Sequence, residues 1–136
     1  MSKKGKAFKV KAGGLLVAII GDEATVTGFL LTGIGERNKK GDANFLIVTK
    51  DTTLTQIEVC FNKLIARDDI GIIMISQNIA EQIRNLIADY NQVIPAVMEI
   101  PSKDVSYDPE KDTIMVRAAR NLYGNEVGMQ KLKQLD

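Results

Sequence analysis

At 136 residues the chain has the length of one domain with tails, enough to bury one sizeable core and too short for two. Its 45% hydrophobic and 26% charged residues exclude the compositional signatures of disordered and fibrous chains, and no apolar run approaches the ~20 residues that span a bilayer. The formal charge of +1 is unevenly distributed: Lys3, Lys4, Lys6, Lys9 and Lys11 fall in the first eleven residues, leaving 13 basic and 17 acidic residues in a mildly acidic remainder.

Residues 1–13 read as a basic, solvated leader. It lacks the apolar stretch of a secretory signal, and Ser2 departs from the myristoylation pattern, so a cytoplasmic location is expected. No basic surface interleaved with aromatics suggests nucleic-acid binding. Leu15 to Ile20 is apolar without alternation, as a central strand covered on both faces would be. A helix follows from about Asp22, placed to cap its first turn, to Gly33, with Val26, Phe29, Leu30 and Gly33 at helical spacing; Gly28 inside it suggests close packing or an imperfect helix. Gly33 and Gly35 end this helix. Glu36 to Asn44 is polar and unpatterned, an exposed loop in which nothing needs burial.

Phe45 to Val48 predicts a second buried strand, and Thr53 with Gln56 forms a capping box ahead of a four-turn helix whose inner face carries Leu54, Ile57, Phe61 and Leu64. Cys60, the single cysteine, reads as a small apolar residue on that helix. Ile70 to Ile75 predicts a third buried strand, followed by one helix with Ile79, Ile83, Leu86, Ile87 and Tyr90 toward the core. The fourth strand, Val93 to Ile100, contains Pro95 and so belongs at an edge. Alternating strands and helices joined by right-handed crossovers give an α/β fold, a Rossmann-like or flavodoxin-like four-stranded parallel sheet of order 2-1-3-4 flanked by helices. The domain therefore spans residues 14–100. Residues 101–112 read as a linker, 113–124 as a carboxyl-terminal extension helix and 125–136 as a polar, fraying tail.

Chemistry is sought first at the sheet's switch point, where open α/β sheets bind ligands. Neither G-x-G-x-x-G nor a Walker sequence is present, so the backbone cradle and lysine that hold nucleotide phosphates are missing. With no histidine, the usual general base and the commonest metal ligand are also absent, and no catalytic residue, cofactor-binding residue or metal site is assigned. One ligand-binding alternative stays open: a small-ligand or phosphoacceptor switch at the Asp22/Ser76 sheet edge, with Asp22 and Glu23 facing a hard cation. Its weakness is that the third strand ends in Ser76, where a phosphoacceptor needs an aspartate.

Three separated blocks carry a more specific signal: GDEATVTGFLLTGIG from Gly21 to Gly35, ISQNIAEQIR from Ile75 to Arg84, and IPAVMEIPSKD from Ile94 to Asp104 with YDPEKD from Tyr107 to Asp112. In order and spacing they resemble the family of F subunits of eukaryotic vacuolar-type (V-type) proton-translocating ATPases, over roughly Leu15 to Gly124. The basic leader, Thr32 and the residues after Gly124 depart from the family pattern. The resemblance implies a non-catalytic subunit without cofactors, bound to the coiled-coil D subunit in the central rotor stalk. Through D it would join the A/B catalytic hexamer to the membrane rotor, on the cytosolic face of the vacuolar or endomembrane system and without entering the membrane. The candidate interface comprises Ile34 and Glu36 after the first helix, and Ile114, Met115, Arg117, Ala118, Arg120 and Leu122 on the last one. A helix of about eleven residues is too short to be stable alone in water, so it must bury its apolar face on a partner.

Overall fold

A computed structural model of the chain describes residues 14–35, 37 and 40–135. The leader, Glu36, Asn38, Lys39 and Asp136 lie outside the described residues. Four strands form one parallel sheet of order β2-β1-β3-β4: β1 (Leu16–Gly21), β2 (Phe45–Ile47), β3 (Ile70–Ser76) and β4 (Ala96–Ile100). Fold class and strand order are those expected. Helix α1 (Glu23–Leu31) joins β1 to β2, and α2 (Leu54–Ala66) joins β2 to β3. Between β3 and β4 stand two short helices, α3 (Gln77–Gln82) and α4 (Arg84–Asp89).

The core lies on one face of the sheet. Ala18, Ile20, Ile73, Ile75 and Val97 meet Ile57, Phe61 and Leu64 of α2 and Ile79, Ala80 and Ile87 of α3 and α4, with Phe61 edge-on to Tyr90. The predicted capping box at Thr53 is present: its hydroxyl accepts from Gln56 N, and Gln56 Oε1 accepts from Thr53 N. Cys60 packs at the edge of this core, where burial pushes its thiol pKa up.

Coverage of the opposite face is thinner than the sequence implies. The cross-strand row Ile19, Met74, Met98 runs from β1 to β4; Ile19 is fully buried, Met74 half-buried and Met98 50% exposed. Only Val26 of α1 is fully buried, and open space surrounds Gly28, so its glycine does not serve close packing. β2 is half-buried along its length, as an edge strand is.

Several other expectations are corrected. The single helix after β3 is broken at Ile83 (φ −116°, ψ 30°), a β-branched residue driven fully into the core, so tertiary burial overrides helical continuity. The loop before β2 ends in a fully buried Asn44, whose side-chain oxygen accepts from Arg67 Nη1 at 2.6 Å. Residues 101–112 are no free linker: the Gln77 side chain donates to the Asp108 carbonyl at 2.7 Å and accepts from the Asp108 amide at 2.6 Å. The tail is helical. After α5 (Thr113–Tyr123) the chain turns at Gly124 (φ 81°) into α6 (Asn125–Lys133), which packs back along α5 and buries Leu132. Gly128 makes this possible, because a Cβ there would lie 2.7 Å from the Ala119 carbonyl oxygen.

Candidate functional site

The switch point between β1 and β3 carries Asp22 and Ser76 at the strand ends. Asp22 caps α1, its Oδ1 accepting from Thr25 N at 2.7 Å, and hydrogen bonds from Thr25 hold its carboxyl below the usual range. Ser76 is buried, and its Oγ crowds Gly21, where a Cβ would approach to 2.9 Å. Asp22 is thus engaged in capping, while the buried Ser76 Oγ has no hydrogen-bond partner among the described residues. Among the described residues no group of three or more His, Cys, Asp or Glu side chains could hold a metal ion. An open cleft of about 430 Å³ between α3 and residues 105–111 is lined by Gln77, Glu81, Tyr107, Glu110 and Lys111, but the Gln77 amide is spent on Asp108 and Lys111 lies 3.4 Å from Glu81.

The carboxyl-terminal hairpin is the more informative surface. Asp112 caps α5, its Oδ1 accepting from Ile114 N and Met115 N. From that cap α5 runs beside α4 in the same direction. Its first residue, Thr113, lies 3.4 Å from Arg84 at the start of α4, and Arg117 donates to the Ala88 and Tyr90 carbonyls at its end (2.7 and 3.0 Å). Orphan carbonyls at a helix end are thereby satisfied by a guanidinium, which also suits the helix dipole.

The eight candidate interface residues therefore separate. Ile114 packs against the core, and Arg117 is hydrogen-bonded to α4. Met115, Ala118 and Leu122, three and four residues apart, form one exposed stripe, with Leu122 75% exposed, whereas Arg120, two residues from Ala118 and from Leu122, is exposed on the other side of α5. α6 covers α5 at Ala119, on a neighbouring face, and leaves this stripe open. Ile34 stands apart, half-buried in an apolar hollow of about 200 Å³ with Leu15, Leu16, Val17 and Asn44; Glu36 lies outside the described residues. Sequence reasoning missed the open sheet row at Met74 and Met98. Its signal was the alternation in β4, which buries Glu99 on the helix-covered side and turns Met98 outward.

The probable V-type proton ATPase F subunit of Caenorhabditis elegans is 56% identical over 115 residues, 85% of this chain and 94% of that one. The V-type proton ATPase F subunit of Homo sapiens is 56% identical over 113 residues, 83% of this chain and 94% of that one. The crystal structure of the V-type ATP synthase F subunit of Archaeoglobus fulgidus, 22% identical, superposes with a TM-score of 0.47 over 63% of this chain and 96% of its own. The family model described as the ATP synthase (F/14-kDa) subunit matches residues 17–118, ending within α5 and before α6. With that match and relatives of this identity along most of its length, the chain belongs to the family of ATP synthase (F/14-kDa) subunits.

Proposed function

We propose that the chain is a non-catalytic subunit of the central rotor stalk of a V-type ATPase, binding the coiled-coil D subunit and coupling ATP hydrolysis by the A and B subunits to proton transport. The observation that carries this reading is 56% identity over most of the chain to relatives named as the F subunit of V-type proton ATPases. The open stripe Met115, Ala118, Leu122 supports it: an exposed apolar helix face suits the apolar face of a neighbouring helix. In this reading the protein works on the cytosolic face of the vacuolar or endomembrane system as part of the peripheral sector; no described helix is long and apolar enough to cross a membrane.

Titration calorimetry of the full chain against purified D subunit tests the proposal. A defined complex is expected, and Leu122→Asp should weaken it by about 2 kcal/mol, some thirtyfold, while barely moving the melting temperature of the free protein. Absence of a complex overturns the assignment of the partner. A variant that melts early yet binds as tightly as the parent overturns the assignment of the stripe.

A further inference from the structure

The apolar hollow beside Ile34 is not used by the proposed function, and the chain's own leader ends at its mouth. The hollow measures about 200 Å³, opens to solvent, and is lined by Leu15, Leu16, Val17, Ile34 and Asn44 and by the glycine backbone on either side of Ile34. An apolar cavity of about 150 Å³ is enough to hold benzene, so this one has room for a single aromatic ring. Gly14 (φ 83°), the first described residue, adjoins Leu15 of the lining in a conformation suited to reversing the chain. Residues 1–13, which precede it, contain one aromatic residue, Phe8. Phe8, Val10 and Ala12 fall on alternate positions with Lys9 and Lys11 between them, the pattern that gives an extended segment one apolar and one basic side.

We propose that the hollow seats the chain's own leader, with the Phe8 ring inserted against Leu15, Val17 and Ile34 and with Lys9 and Lys11 turned outward. Length permits this, because the tether from Phe8 to Gly14 spans at most about 20 Å when extended and the lining begins at the next residue, Leu15. Tethering also favours this occupant over a separate molecule: closing so short a loop costs little and holds the ring at an effective concentration in the millimolar range. Charge acts in the same direction. Lys3, Lys4, Lys6, Lys9 and Lys11 meet a remainder with 13 basic and 17 acidic residues, and Asp42, Asp68 and Asp69 gather about Arg67, which donates to Asn44 of the lining. The family match starts at residue 17 and leaves the leader out. The consequence is that Ile34, expected at an interface with a partner, is covered by the chain itself. The closure does not rest on the stalk assignment.

NMR of the free, full-length chain tests this. Nuclear Overhauser contacts are expected from the Phe8 ring to the Leu15, Val17 and Ile34 methyl groups. Phe8→Asp should remove them and speed amide exchange of residues 15–17 and 33–35 at least about fivefold, Phe8→Leu should do so less, and the β3 amides should be unchanged in both. A Phe8 ring without those contacts overturns the proposal, as does unchanged exchange in Phe8→Asp or an equal rise in the β3 amides, which would place the effect in the core. Contacts found only between differently labelled copies in a mixed sample would overturn it too, by seating the leader of a second copy in the hollow.

Discussion

The α/β body and the α5–α6 hairpin are held together by different physics. In the body, Ile20, Ile57, Phe61, Ile73 and Ile75 are fully buried, and burial of apolar area, which is non-directional and indifferent to pH, supplies the cohesion. The hairpin buries little besides Ala119, Gly128 and Leu132, and Ile114 only in part. It is attached by Arg117 on α4, by Gln77 on Asp108 and by Arg84, which pairs with Glu99 of β4 and lies 3.4 Å from Thr113 of α5. Such contacts are directional and respond to charge. One chain thus contains a body built to be insensitive to its surroundings and an appendage built to be adjustable.

Deleting atoms from the body puts this contrast under the greatest load. Ile73→Ala, at the centre of the sheet, should cost about 3 kcal/mol in global stability by urea unfolding, through lost transfer energy and the cavity left behind. It should raise exchange in the strands and the hairpin together. If the hairpin amides alone responded, the body would not be the cooperative unit described.

A second, smaller effect is expected at the seam between α5 and α6. Gly128→Ala places a Cβ 2.7 Å from the Ala119 oxygen and 3.0 Å from the Arg120 nitrogen, both backbone atoms that yield only if the helices separate. The clash outweighs the ~1 kcal/mol gain in helix propensity, so α6 amides should exchange about tenfold faster with the urea midpoint unchanged. Slower exchange in α6 would show that the two helices are not in close contact.

The difference between the regions also explains how much was legible in the sequence. The body's strands announce themselves as unbroken apolar runs at Leu15 to Ile20 and Ile70 to Ile75, and its order follows from crossover handedness; Pro95, expected inside the fourth strand as its edge signal, instead stands one residue before β4 begins at Ala96. The break at Ile83 left no mark, because no glycine or proline causes it; the core does. The hairpin was half legible. α5 carries a cap and an apolar face, so the need for a partner was readable, but the first partners proved to be α4 and α6 of the same chain. α6 escaped because its packing rests on one glycine and one leucine, and a glycine within a polar stretch ordinarily reads as a break. The apolar spacing on α5 likewise could not separate Ile114, turned to the core, from Met115 and Leu122, left outside.

The smallest effect concerns Asp22, a polar attachment within the body itself. Asp22→Ala should cost about 1 kcal/mol at neutral pH through loss of the α1 cap, and Asp22→Asn less, since an amide still accepts from Thr25. The pH dependence has a definite sign. Because the carboxyl is held below its usual range in the folded protein, its charge-dependent contribution is present above the unfolded pKa of about 3.9 and is lost as pH falls through the folded-state value. Asp22 is partly exposed, so solvent screening keeps that contribution below about 1 kcal/mol. The stability gap between parent and Asp22→Asn should therefore be constant above about pH 5 and close below about pH 4. Acid titration of amide exchange should then loosen the first turn of α1, and a gap at Asp22 that widened on acidification would refute the capping charge as its cause.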